Sequence, residues 1–259
     1  METDPRDQPD PEPDAEPGAG LDREGPPPAR VGSLVILGDS ISDGGGQAPR
    51  YYGLLQDNDD GRYPDWADRD LRTLFPDLRV ENAARSGSET GDLLNQVRSL
   101  PRNLPGPIVA VITSGGNDIK SAMRNAFMGN DAGDIEATRS HIGDALDSLA
   151  GRYPDRKLRI HLANIYDPSD GQGNYGLHCE FARGLGPLSI PSDPVFERWN
   201  AAHSEEVERT GQSLVQVHDH FRGHGHNHPD ESWYAPDCTH PNRRGHHELR
   251  RIFWEADHG

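Results

Sequence analysis

The stretch LVILGDS, residues 34–40, decides how the rest of the chain is interpreted. Its four apolar residues end abruptly at a glycine, which predicts a short buried strand that runs into a tight turn, with a helix expected to follow. In open α/β sheets, ligands bind just beyond the carboxyl ends of such strands. The stretch therefore predicts that Ser40 lies at a ligand-binding edge, although a capping serine in an ordinary turn explains the segment equally well.

The composition argues against several classes of function. The chain has 259 residues, enough for one substantial α/β domain, and a formal net charge of −17. Such an acidic surface argues against binding to nucleic acids or anionic membranes, because both favour basic patches. No apolar run approaches the roughly 18 residues of a membrane span, so we expect no transmembrane segment.

Residues 1–30 differ in composition from the remainder. They combine proline with aspartate and glutamate, and Leu21 is their only large aliphatic residue. Such a segment cannot bury enough apolar surface to offset the entropy of ordering it, so we predict an acidic, proline-rich disordered tail. It could serve as a tether or as a solubilising tail. A single folded domain is predicted over residues 31–259.

Predicted strands and helices alternate along that domain. Further strands are predicted at 80–82, 108–113, 158–165 and 214–217. Helices are predicted to begin at Pro64 and to span 90–100, 135–149, 194–210 and 242–255. This alternation predicts an α/β protein with three layers, α/β/α, around a mostly parallel five-stranded sheet with right-handed crossovers.

Residues suited to acyl transfer lie near several strand ends and near the C-terminus. That reaction needs a nucleophile, a base, a carboxylate that orients the base, and donors for the oxyanion. Asp237 and His240 are three residues apart, so one turn can bring the carboxylate to the imidazole Nδ1–H and leave Nε2 free for Ser40. Gly87 can offer a backbone N–H and Asn117 a side-chain amide. Each residue alone also fits an ordinary turn or cap.

Four sequence blocks resemble those of the SGNH (GDSL-like) hydrolase family. They are GDSI at 38–41, NAARSG at 82–87, GGND at 115–118 and DCTHP at 237–241, in the order found in the family. The resemblance implies a flavodoxin-like sheet and hydrolysis of carboxylic esters through an acyl-serine, with no metal or organic cofactor. By position, it makes Ser40 the nucleophile, His240 the general base and Asp237 its orienting carboxylate.

The resemblance also assigns an oxyanion hole to the backbone N–H groups of Ser40 and Gly87 and the side chain of Asn117. The first block has Ile41 where the family name has leucine, at a position that supports the turn. The nucleophile elbow of ordinary α/β-hydrolases is excluded, because it needs glycine where this chain has Ser42. We predict a serine esterase. The alternative is a non-catalytic carbohydrate-binding or scaffold protein on the same fold.

Cys179 and Cys238 are the two cysteines of the chain. In an oxidising compartment they could pair, whereas in the cytosol they would be free thiols. We predict the disulfide, which would pin the long loop from Tyr166 to Pro191 onto the turn that carries the last block. With the tail as a tether, we favour an extracytoplasmic location (secreted, periplasmic or lipoprotein) over a cytoplasmic one.

Two segments contain residues that are typical of metal sites. The run DNDDG at 57–61 suggests a calcium loop, but its glycine lacks the required spacing. Alternating histidines can bind zinc, and five precede the last block: His218, His220, His224, His226 and His228. For these we favour a polar connector, so we predict no metal site, with an acidic metal-binding protein as the remaining rival.

Loops set specificity on this type of scaffold. The segment around Tyr51 and Tyr52 and the loop over 167–191 are expected to wall the pocket, and both contain more polar residues and glycine than large apolar ones. This composition favours a short acyl chain or a polar alcohol, as in an acetylated carbohydrate. We therefore expect a small-molecule or carbohydrate ester as the substrate, and we also expect the protein to be a monomer.

Overall fold

A computed structural model describes residues 30–43, 49–179 and 189–258 of the chain. At its centre is a five-stranded sheet, made of β1 (Ser33–Gly38), β2 (Arg79–Asn82), β3 (Ile108–Thr113), β4 (Leu158–Ala163) and β5 (Ser213–Val215). The strand order is β2-β1-β3-β4-β5, and every neighbouring pair is parallel. The predicted five-stranded α/β/α fold is confirmed, and the sheet is parallel throughout.

Helices cover both faces of this sheet. They are α1 (Tyr51–Gln56), α2 (Leu71–Leu74), α3 (Leu93–Ser99), α4 (Gly116–Ser121), α5 (Met123–Met128), α6 (Ala132–Arg152), α7 (Tyr175–His178), α8 (Asp193–Thr210), α9 (Val217–Phe221) and α10 (Arg243–His258). Single 3₁₀ turns lie at Pro64–Trp66 and Thr90–Asp92. In the described part of the chain, no helix combines the length and apolar character needed to cross a bilayer.

The first strand is apolar on both sides because both faces of the sheet are covered. Leu34 and Ile36 belong to the core that contains Phe253 of α10. Val35 and Leu37 point to the opposite face and belong to the core that contains Leu146 of α6. The alternation of side chains along a strand thus divides one apolar run between two separate cores.

The prediction of a helix that begins at Pro64 is wrong in the extent of that helix. The 3₁₀ turn ends at Trp66, and Asp68 has a φ of 65°, which a continuous α-helix cannot accommodate. A new helix, α2, begins only at Leu71, where the side chain of Asp70 accepts the Thr73 backbone N–H at 2.8 Å and caps the N-terminus. The start of this helix is therefore set by the cap at Asp70 and not by the apolar periodicity.

Several elements differ from the sequence prediction in smaller ways. Helices α1, α4 and α5 lie where no helix was predicted, and β5 ends at Val215 because Val217 begins α9. The residues after Ser40 form a turn through Asp43 rather than a helix. The glycines at 44–46 and the predicted tail, apart from Arg30, lie outside the described residues.

A disulfide joins Cys179, directly after α7, to Cys238. The predicted pairing is therefore confirmed. Both cysteines are buried in a third apolar cluster, which also contains Trp199 of α8. The bond attaches the loop that follows β4 to the turn between Asp237 and His240.

We expect reduction of this disulfide to lower the free energy of unfolding by about 4 kcal/mol, because it closes a long chain segment in the unfolded state. Urea unfolding with and without dithiothreitol measures the difference. The Cys179→Ala/Cys238→Ala double variant is the control and should not respond to the reductant. An unchanged urea midpoint after both thiols have been titrated as free would contradict this expectation.

Candidate active site

Ser40 lies in a rigid turn at the carboxyl end of β1. The Asp39 N–H continues the pairing with β3 by donating to the Thr113 carbonyl at 3.0 Å, and the Asp39 carbonyl then accepts from Ser42 and Asp43. Gly38 has a φ of 122°, and a Cβ there would lie 1.8 Å from the Thr113 carbonyl oxygen. Glycine is therefore required for the backbone to approach β3 this closely before the serine.

The structure brings the three predicted catalytic side chains together. His240 Nε2 lies 2.8 Å from Ser40 Oγ, and His240 Nδ1 lies 2.6 Å from Asp237 Oδ2. The other carboxylate oxygen of Asp237 accepts the backbone N–H groups of Thr239 and His240, each at 2.9 Å. These two backbone bonds fix the carboxylate against the imidazole within a single turn.

The charge state of Asp237 determines which nitrogen of His240 carries the proton. Partial burial raises the pKa of Asp237, but the hydrogen bonds from the His240 side chain and from the backbone of His240 and Thr239 together lower it to about 2. The carboxylate is therefore ionised near neutral pH and can only accept hydrogen bonds. Nδ1 of His240 must donate to it, which leaves Nε2 as the acceptor for the Ser40 hydroxyl.

Three hydrogen-bond donors suited to an oxyanion lie at neighbouring strand ends. Among the described residues, neither the backbone N–H of Ser40 nor that of Gly87 donates to a backbone carbonyl. Asn117 Nδ2 donates to the Ser88 carbonyl at 2.9 Å, and this uses one of its two N–H bonds. Ser40 and Asn117 line the same cavity, whereas Gly87 lines a different one, together with Ser88 and Gln96.

The segments that carry Gly87 and Asn117 are held to each other. Asp118, next to Asn117 in α4, accepts the backbone N–H of Thr90 at 3.0 Å and its hydroxyl at 2.5 Å. Gly115, just before α4, has a φ of 109°, and a Cβ there would lie 2.9 Å from the ring of His203. The turn after β3 can therefore take its shape only with glycine at this position.

Asp39, beside the nucleophile, is a buried carboxyl group. It accepts the Ile41 N–H at 3.0 Å and the Thr113 hydroxyl at 3.1 Å. Thr113 in turn contacts the Ser42 hydroxyl, which contacts the Tyr51 hydroxyl at 2.6 Å. Burial raises the pKa of Asp39 to about 6, although these hydrogen bonds and the nearby His240 lower it.

An apolar cavity opens beside Ser40 and Asn117. Its lining side chains are mostly large and apolar, and include Ile119, Met123, Phe127, Ile165, Val195 and Phe196. The first three of these are spaced four residues apart across α4 and α5, so an apolar helical periodicity could have identified this wall from the sequence. One cavity thus contains the Ser40 hydroxyl, the Asn117 amide and an apolar wall.

The predicted pocket walls are only partly correct. Pro168 and Tyr175, from the loop after β4, line the cavity. Tyr51 does not, because its ring is buried in the core and its hydroxyl contacts Ser42. The sequence also gave no indication of Arg50, whose guanidinium donates to the Ser40 carbonyl at 3.1 Å.

The residues considered as metal ligands have other partners. Each of the five histidines has a different neighbour: His218 the Ile165 carbonyl, His220 Glu248, His224 the ring of Trp233, His226 Cys179, and His228 Asp170. In the acidic run, Asp57 pairs with Arg72, and Asn58 accepts from Arg250.

Within the described ranges, one group of three potential metal ligands is found: Cys179, Cys238 and His226, with ligand atoms within 4.8 Å of one another. The two sulfur atoms are bonded to each other and therefore offer no thiolate to a metal.

A sequence model of the GDSL-like lipase/acylhydrolase family matches residues 36–248. This match begins within β1 and includes all four blocks on which the resemblance was based. A comparison with curated proteins gave no match.

Solved structures with the same fold include several esterases. A phospholipase A1 from Streptomyces albidoflavus NA297 has a TM-score of 0.55 and 19% identity, over 88% of this chain and 100% of that one. A lipase from a goat rumen metagenome has a TM-score of 0.54 and 17% identity, over 88% of this chain and 98% of that one. The acetylxylan esterase Axe2 from Geobacillus stearothermophilus has a TM-score of 0.53 and 20% identity, over 86% of this chain and 93% of that one. At these identities the likeness shows the fold alone.

We expect the Asp39→Asn variant to lose the contribution that Asp39 makes to the pH dependence of stability. Between the ordinary aspartate pKa of about 3.9 and the folded value of about 6, the folded protein holds a proton that the unfolded chain has released. Asp39 by itself should therefore lower the free energy of unfolding by about 3 kcal/mol as the pH rises through this interval.

Urea unfolding at pH 4 and pH 7 measures this contribution, because the change in free energy of unfolding from pH 4 to pH 7 should be about 3 kcal/mol more positive in Asp39→Asn than in the wild type. The exposed Asp77, changed to asparagine, provides the matched control and should behave as the wild type. Equal pH dependence in Asp39→Asn and the wild type would show that burial does not favour the protonated form of Asp39.

Proposed function

The chain belongs to the GDSL-like lipase/acylhydrolase family and is a carboxylic ester hydrolase, and on this premise we propose that it acts through an acyl-serine intermediate on Ser40. The observation that carries the proposal is the continuous series of hydrogen bonds from Ser40 Oγ through His240 to Asp237, at 2.8 and 2.6 Å. A weak nucleophile is activated when a base accepts its proton and a third group orients that base.

In the first step, Ser40 Oγ attacks the ester carbonyl carbon while His240 Nε2 takes the hydroxyl proton. Asp237 stabilises the imidazolium that forms and itself stays ionised. The negative oxygen of the tetrahedral intermediate accepts from the N–H groups of Ser40, Gly87 and Asn117. One such donor typically contributes about 2.7–4 kcal/mol to lowering the barrier. His240 then protonates the leaving alcohol as the carbon–oxygen bond breaks, which gives the acyl-serine.

In the second step, water replaces the alcohol. His240 removes a proton from the water as its oxygen attacks the acyl carbonyl, and the same three donors hold the second oxyanion. The intermediate collapses, His240 returns the proton to Ser40 Oγ, and the carboxylic acid leaves. Each proton taken up by His240 is given back within the cycle, so these residues account for the full reaction.

We propose short acyl chains as the substrate class, with the alkyl part in the cavity beside Ser40. The mostly apolar lining supports this choice because an alkyl chain can be buried against its large side chains. It also favours chains longer than acetyl, since each methylene buried there contributes about 0.8 kcal/mol. The alcohol then lies on the open side of the site, where the sequence-based expectation of a polar or carbohydrate alcohol applies.

We further propose that the protein acts outside the cytoplasm, as a monomer. The disulfide between Cys179 and Cys238 supports this location, because such bonds persist in oxidising compartments. Recovery of the protein from its native cells with both thiols reduced would argue against the location. A dimer in sedimentation experiments would argue against the monomer.

The Ser40→Ala variant should lose about 10⁴-fold or more in kcat toward p-nitrophenyl butyrate, because the nucleophile is gone. The variant should keep its melting temperature, since Ser40 lies in a turn held by other residues. Ser204→Ala removes a hydroxyl that donates only to the Asn200 carbonyl within α8, at 3.2 Å, and is the matched control. Full activity of Ser40→Ala would exclude the serine mechanism.

For the acyl chain, kcat/KM for p-nitrophenyl butyrate should exceed that for the acetate about tenfold, since two further methylenes enter the cavity. Met123→Trp should abolish this preference by filling the space, while the rate with acetate stays near that of the wild type. Met128→Trp, at an exposed position on the same helix and outside the cavity lining, is the control. An equal preference for butyrate in both variants would contradict the assignment of the cavity.

A further inference from the structure

Gln96 is a buried polar residue on the sheet-facing side of α3, next to Val97 of the apolar core. Its side chain makes three hydrogen bonds to one small region. Oε1 accepts the Gly38 N–H at 2.8 Å, and Nε2 donates to the Gly38 carbonyl at 2.8 Å and to Ser88 Oγ at 3.2 Å. The single amide group therefore binds both polar groups of one peptide residue and a side chain from another loop.

These contacts lie at the two segments that carry oxyanion donors. Gly38 is two residues before Ser40, and its carbonyl also accepts the Arg85 N–H at 3.0 Å. Ser88 directly follows Gly87, and the Ser88 carbonyl accepts Asn117 Nδ2 at 2.9 Å. Through Gly38 and Ser88, Gln96 is thus connected to all three proposed donors without itself lying at the reacting atoms.

We propose that Gln96 is a positioning residue that sets the spacing of the oxyanion donors on Ser40, Gly87 and Asn117. The inference rests on the proposed function of these three groups. An oxyanion is stabilised only when its donors already stand at the right distance, so a fixed spacing contributes directly to the rate. Gln96 does not contact the oxyanion itself. Its hydrogen bonds fix the backbone segments that carry the oxyanion donors, and these donors stabilise the transition state.

The chemistry of the site explains why glutamine is required. The position needs one acceptor and two donors in a plane, and an amide supplies both from one group. A methionine of similar length fills the space but leaves the Gly38 N–H and carbonyl without their partner. A glutamic acid in its protonated form restores one donor and one acceptor, which is enough for both bonds to Gly38.

The first experiment compares Gln96→Met with wild type on p-nitrophenyl butyrate. We expect kcat to fall about 10–100-fold, as for other groups that orient a reacting group from outside, while KM stays within about twofold. Gln212→Met is the matched control. Gln212 also binds backbone, by accepting the Ile160 N–H at 3.2 Å, but near the opposite end of the sheet. The Gln212→Met substitution should lower the melting temperature without changing kcat.

The second experiment tests rescue by the conservative variant. At pH 6, burial favours the protonated form of a glutamic acid at position 96, so Gln96→Glu should keep about tenfold more of the wild-type kcat than Gln96→Met. A residue needed only for folding would affect melting temperature in both variants and leave kcat of the folded enzyme unchanged.

The outcomes separate this inference from the proposed function. If Ser40→Ala is inactive but Gln96→Met keeps a kcat within about twofold of wild type, the serine mechanism stands and the positioning role is wrong. The role is equally wrong if Gln96→Glu is no more active than Gln96→Met at pH 6. If Ser40→Ala keeps full activity, the proposed function itself fails.

Discussion

The hydrogen bond between His240 Nε2 and Ser40 Oγ joins two residues 200 positions apart in the chain, and the rest of the site depends on it. One such bond contributes only about 1 kcal/mol net, which is far too little to hold two distant segments together. The contact exists because other interactions place both ends. On one side is the sheet, through β1 and its pairing to β3. On the other side is the turn that carries Asp237 and His240.

That turn is held by bonds that do not take part in the reaction. The Tyr166 hydroxyl donates to the Thr239 carbonyl at 2.5 Å, and the Ala235 N–H donates to the His240 carbonyl at 2.8 Å. The disulfide at Cys238 attaches the same turn to the loop after β4. With its backbone fixed in this way, the turn can expose the imidazole while still directing it at the serine.

Two kinds of environment meet at Ser40. On the side of the strand ends, buried polar groups such as Asp39 and Gln96 are satisfied by neighbouring residues. Each of these groups would be costly without its partners, so the network allows few other arrangements. The cavity that Ser40 lines also offers large apolar side chains. An ester has the same two parts, a polar carbonyl and an alkyl chain, so the site matches it in both.

The sequence by itself determined the strands, the parallel α/β architecture and the residues of the proposed catalytic set. These features depend on local signals: an apolar run that ends at glycine, or an aspartate three residues before a histidine. The tertiary structure decided that the cavity is apolar, that Tyr51 belongs to the core, and that Gln96 connects the strand ends. Such features depend on which side chains meet across the fold, because packing partners far apart in the chain leave no local pattern. The helix predicted from Pro64 was wrong for a related reason, since apolar periodicity does not reveal the cap at Asp70.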